Sequence, residues 1–119
     1  MGYYIEVPHN RDKAQQLRTL HGATDVDLTW NAWDSVTEGK TLICVVENPL
    51  FDAAAIIYSK DEYKAFSGAV GSDLRRKTWL LLDTAKVLEL CPSVGRVLDG
   101  PYPEAALDRG MALCEADNA

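Results

Sequence analysis

The apolar positions of this chain gather in unbroken runs rather than in alternation. Residues 42–46 (Leu-Ile-Cys-Val-Val) and 53–58 (Ala-Ala-Ala-Ile-Ile-Tyr) flank a polar break at Glu47-Asn48-Pro49. Val, Ile and Tyr suit a pleated surface, and Pro49 cannot continue a ladder through the break. The pattern predicts two strands and a tight connection, a hairpin at the centre of a small sheet. A strand with one wet face would read apolar-polar-apolar, so these runs predict protein packed on both faces. Residues 78–82, with Trp79-Leu80-Leu81-Leu82, predict a third interior strand.

Around these strands the period changes. Residues 3–7 read as a strand stopped by Pro8, with Tyr3, Ile5 and Val7 on one face. Asn10 is placed to cap a helix from Arg11 to about Leu20, with Ala14, Leu17 and either Leu20 or His21 inward and Gly22 as its left-handed stop. Residues 24–39 are the least regular stretch, predicted to hold a short strand at 26–28 and one helical turn at 33–36. Ser59 and Glu62 form a capping box for a short helix over 60–66, which aims Tyr63 and Phe66 the same way. Gly and Ser content makes 67–76 a loop. Asp83 is expected to cap a helix over 84–91 that buries Val87, Leu88 and Cys91 before Pro92. Pro103 then opens a last helix to about Cys114, with Leu107, Met111 and Cys114 on its stripe.

The fold expected from this order is α+β: a small single domain over 1–119, with helices packed on a mixed or antiparallel sheet. Its core would occupy 1–91, and 92–119 would add a C-terminal helical extension.

Composition narrows the classes of function. With 119 residues, 47% hydrophobic and 25% charged, the chain is long enough for a self-sufficient core. Eighteen acidic against 12 basic residues leave a net charge of −6, which repels phosphate backbones and argues against direct nucleic-acid binding. The three cysteines, Cys44, Cys91 and Cys114, are widely spaced inside apolar patterns, so buried reduced thiols are expected rather than disulfides or a zinc site. No leader pattern opens the sequence and no stretch approaches a membrane span, so a cytoplasmic protein is expected.

Candidate chemistry is sparse, and no cofactor is implied. Nucleophilic catalysis needs a base in hydrogen-bond reach, and only His9 and His21 are available; His21 reads better as a cation at a helix C-terminus. His21, Asp25 and Asp27 are close in sequence but match no closed metal-site spacing. The basic run Arg75-Arg76-Lys77 reads as a charged entry to the apolar strand behind it, with contact to phosphate or an acidic partner as the alternative. The segment that stands out carries Trp30 and Trp33. Three-residue spacing would align them on one side of a helical turn, rimmed by Asp27, Asp34 and Glu38. Buried, the indoles would lid the core; exposed, they would form an aromatic anchor with an acidic rim, suited to a basic protein surface.

The strings MGYYIE, EGKTLICVVEN, FDAAA and KTWLLLD, with the lysine-and-alanine helix after Asn10, resemble a family of small proteins encoded by tailed bacteriophages and prophages. The resemblance spans residues 1–90, and the 92–119 extension is particular to this chain. It carries over no catalytic residue. What it implies is a setting: a non-enzymatic phage accessory protein in the cytoplasm of a bacterial host. Such a protein would bind a host protein or nucleoprotein complex with a basic surface, as an anti-defence inhibitor of the anti-CRISPR type does. Two alternatives remain open on the residues. One is a small-molecule binder or minor enzyme with a pocket between the sheet and 24–39, lined by Tyr3, Tyr4, Trp30, Trp33 and Asp52. The other is a virion or assembly component that self-associates as a homo-oligomer through the C-terminal helix.

Overall fold

The computed structural model describes residues 12–27, 30–47, 52–70 and 76–90. The expected strand at 3–7, the Asn10 cap, the C-terminal helix and Cys91 and Cys114 lie outside those residues. The described elements run α1 (Lys13–His21), β1 (Thr24–Asp25), a 3₁₀ turn (Ala32–Ser35), β2 (Lys40–Glu47), β3 (Asp52–Ile57), α2 (Lys60–Val70), β4 (Arg76–Asp83) and α3 (Thr84–Leu90). The four strands form one antiparallel sheet in the order β1-β4-β2-β3. This is the α+β architecture expected from the sequence, with the strand pairing wholly antiparallel.

The unbroken apolar runs split by the pleat into two cores. Ile43, Val45, Ala54, Ile56, Leu80 and Leu82 face one way, where Ala14 and Leu17 of α1 and Val87 of α3 cover them. Leu42, Cys44, Val46, Ala53, Ala55 and Ile57 face the other way, under Phe66 of α2 and Ala32 of the 3₁₀ turn. Every residue from 41 to 46 and from 52 to 57 is buried. The absence of alternation thus reports a sheet sandwiched between helical layers. The small Ala53-Ala54-Ala55 run lets α1 and α2 approach β3 from its opposite faces.

A run that is apolar on both faces carries little information about register, because a slip by one residue exchanges one apolar face for another. Charges at its ends supply that information. Lys40 lies opposite Asp83 and Glu47 opposite Arg76 in the β2–β4 ladder. Both are ion pairs, Lys40 Nζ with Asp83 Oδ1 and Arg76 Nε with Glu47 Oε2 at 3.2 Å. Each pair is open to solvent on at least one side and adds little to stability by itself. A shifted register, however, would set these charges against apolar residues or against each other.

Several boundaries differ from expectation for identifiable reasons. Helix α1 starts at Lys13, after Asp12 at φ 64°, and no side chain of its own caps it. The Lys13 N–H instead donates to Asp52 Oδ2 at the start of β3, 2.7 Å away and 39 residues on. Its C-terminus is as expected: Gly22 has φ 77°, and Ala23 N–H donates to the Leu17 carbonyl at 3.0 Å. Leu20 is 65% exposed rather than inward, so Ala14 and Leu17 alone make the buried apolar stripe. The Glu62 N–H donates to Ser59 Oγ at 3.1 Å, as the capping box requires, but α2 runs on through Gly68 to Val70. Burial of Phe66 outweighs the ~1 kcal/mol that a helical glycine costs. Asp83 ends β4 with its carboxylate on Lys40, not over α3, and the Thr84 N–H donates to the Gly39 carbonyl at 2.8 Å. In α3, Val87 is buried and Leu88 is 40% exposed.

Candidate functional site

The segment that carries the tryptophans begins at β1, which pairs Thr24 with Leu81 and Asp25 with Leu80 at the sheet edge. The Val26 N–H extends this pairing to the Trp79 carbonyl at 2.9 Å. β1 therefore lies slightly ahead of the 26–28 stretch expected. The chain then turns through residues 32–35 in a 3₁₀ rather than an α geometry, closed by Val36 N–H to the Trp33 carbonyl at 3.0 Å. Ser35 Oγ donates to the Ala32 carbonyl at 2.6 Å and tightens the same turn.

An aromatic stack fixes this turn to the body of the protein. Trp33 meets Tyr63 of α2 with ring centroids 6.5 Å apart, and Tyr63 meets Trp79 of β4 at 5.3 Å. Phe66 closes the group edge-on to Trp79 at 6.3 Å. The Ala32 N–H donates to the Tyr63 hydroxyl oxygen at 3.0 Å, so the helix holds the turn by backbone as well as by ring contact. Trp33 is thereby half-buried and packs on the core that contains Cys44 and Phe66.

Trp30 is different. It is 80% exposed, the most exposed large apolar side chain among the described residues. The 3₁₀ turn begins two residues later, and Asn31 is non-helical at φ −149° and ψ 83°. The two indoles therefore do not share one side of a helical turn. The spacing rule fails because Trp30 precedes the turn rather than belonging to it. Trp33 lids the core, Trp30 faces water, and the two readings of the pair divide between its members. Asp27, Asp34 and Glu38 are all exposed on the same segment. Trp30 thus stands on a short stretch that holds three carboxylates and is anchored by Trp33 and Tyr63.

The remaining candidates are accounted for by local contacts. The Arg18 guanidinium donates from Nε and Nη2 to the two oxygens of Asp25 at 2.7 and 2.9 Å, and this contact holds the Asp25 carboxyl below its usual range. His21 ends α1, as expected. Among the described residues no group of three or more His, Cys, Asp or Glu is arranged to hold a metal ion. Of the residues expected to line a pocket with Trp30 and Trp33, Asp52 caps α1, and Tyr3 and Tyr4 lie outside the described residues. Cys44 is fully buried, and burial pushes its thiol pKa well up, which removes it as a nucleophile. No helix among the described residues is long and apolar enough to cross a membrane.

The tertiary cap from Asp52 and the paired charges at the sheet ends were missed by sequence reasoning. The second had a signal. Lys40 and Glu47 are seven residues apart, as are Arg76 and Asp83, in the same order of cation then carboxylate, so antiparallel pairing sets opposite charges together. No known protein family, curated protein or solved structure matches this chain.

Proposed function

We propose that this chain is a non-enzymatic binding protein that presents Trp30 as an anchor to a basic protein surface. The observation that supports it is an indole 80% exposed, followed by a turn that Tyr63 holds through Trp33 and the Ala32 N–H. Tryptophan is enriched among the few residues that dominate interface energies, and a rigid backing lowers the entropy lost on docking. Asp27, Asp34 and Glu38 give the segment a negative sign that matches the net charge of −6. The complementary partner is therefore cationic, and long-range attraction would speed its encounter. The resemblance to phage-encoded proteins supports a host protein or nucleoprotein complex as that partner, with inhibition of host defence as the purpose. An acidic surface seated in a nucleic-acid channel would compete with the phosphate backbone for the same cations.

The test compares the wild-type chain with Trp30→Ala and with Asp34→Asn/Glu38→Gln in capture from bacterial lysate at low and high salt. A specific partner is expected whose affinity falls about 30-fold in Trp30→Ala, which is the ~2 kcal/mol of an interface hot spot. The melting temperature should hardly move, because the side chain that is removed is 80% exposed. The acidic double variant should weaken binding at low salt and matter less at high salt. Equal capture by wild type and Trp30→Ala, or no specific partner at either salt, would overturn the proposal.

A further inference from the structure

The charge pattern around Trp30 narrows what can cover it. No lysine or arginine lies between Arg18 and Lys40, whereas Asp25, Asp27, Asp34 and Glu38 all do. The cations at the two ends are already engaged: both oxygens of Asp25 hold Arg18, and Asp83 pairs with Lys40. Asp27, Asp34 and Glu38 make no ion pair or side-chain hydrogen bond among the described residues. Trp30 makes no ring contact there either. An open indole and three unneutralised carboxylates therefore share one stretch, and the described fold supplies no cation to any of them.

This combination disfavours a purely apolar pocket as the complement. Docking of the indole would draw the neighbouring carboxylates out of water, and a desolvated charge without a partner is costly. A cation laid on the ring removes the conflict, because indole is the best of the aromatic faces for a cation. Arginine fits better than lysine. Its guanidinium is planar and weakly hydrated, so it stacks flat on the ring while its N–H edges stay available to carboxylates. A lysine ammonium is a compact, strongly hydrated point charge that must shed its own water to reach the ring.

We propose that the Trp30 surface receives an arginine side chain of a protein partner, stacked on the indole, with the carboxylates of Asp27, Asp34 and Glu38 as the acceptors within its reach. This rests on the reading of Trp30 as an interface anchor and deepens it, because the partner is defined by arginine and not by basic character in general.

The test titrates the full chain at physiological salt with three capped tetrapeptides. One is of arginine, one is of lysine with the same charge, and one is of citrulline with a similar shape and no charge. Calorimetry measures the affinity, and the Trp30 indole N–H resonance, assigned by its loss in Trp30→Leu, locates the contact. A saturable shift is expected with the arginine peptide, with binding at least fivefold weaker for the lysine peptide and weaker still for citrulline. Trp30→Leu keeps an apolar side chain without the ring and should weaken binding of the arginine peptide at least fivefold. Trp30→Phe keeps a ring and should lose less. Asp34→Asn/Glu38→Gln should also weaken it at least fivefold. All three replaced side chains are exposed, so the variants should fold, and an unchanged amide spectrum away from the segment checks that. No saturable shift with the arginine peptide, equal binding of the lysine peptide, or undiminished binding by Trp30→Leu would overturn the arginine assignment. In capture from lysate, a partner lost with Trp30→Ala but kept by Trp30→Leu would also overturn it while leaving the interface anchor standing. A partner kept by both variants would overturn the anchor itself.

Discussion

Replacing Phe66 with alanine is expected to lower the free energy of unfolding by about 3–5 kcal/mol, the range for a fully buried aromatic side chain. The effect should be large here because Phe66 closes the second core over Cys44, Val46 and Ala55, and also braces Trp79. Its loss leaves a cavity that neighbouring strands cannot fill without moving the ladder. Urea denaturation followed by far-ultraviolet circular dichroism measures it, and the midpoint should fall with little change in slope. A cost below ~1.5 kcal/mol would mean that the α2 face of the sheet is not the sealed core described.

Asp52→Ala is expected to cost about 1.5–3 kcal/mol for a different reason, because it orphans a buried backbone donor. The Asp52 carboxylate accepts the Lys13 N–H at the first turn of α1, where both the charge and the helix dipole strengthen the bond. Asp52→Asn keeps an acceptor of the same shape and should lose less. Hydrogen exchange separates this change from general destabilisation: amides of α1 should open more readily than those of β2 and β4. Equal acceleration across the protein would show that Asp52 acts on the whole fold and not as a cap.

The comparison of these two sites shows which parts of the architecture can be read along the chain. The hairpin of β2 and β3 was legible because its signal is local: two apolar runs, a proline between them, and no alternation. The same runs predicted burial on both faces, and the two cores bear this out. The Gly22 stop and the Ser59 cap were legible because each bonds within six residues. The start of α1 was not, because its cap comes from Asp52, and no rule of spacing links positions 39 residues apart. The length of α2 was underestimated because Gly68 and Ser67 lower local propensity, whereas packing of Phe66 decides the outcome. Asp83 looked like a cap because it precedes a helix, yet a cross-strand lysine was the stronger partner.

The candidate site was legible in part. The sequence singled out Trp30 and Trp33 together, and the structure gives them opposite environments, since the backbone is non-helical at Asn31 and the turn that holds Trp33 starts only at Ala32. Aromatic spacing says that two rings are close along the chain, not that they face the same medium.

Cys44 gives the protein a built-in clock. Its sulfur lies in the middle of β2 with no exposed surface, paired across to Ala55 and Trp79 on the flanking strands. An alkylating reagent can reach it only when that ladder separates. With Cys91 and Cys114 changed to serine, the rate of labelling under native conditions becomes a direct count of how often the interior comes apart. That count needs no denaturant, and any occupant of the Trp30 surface that favours the closed form should slow it.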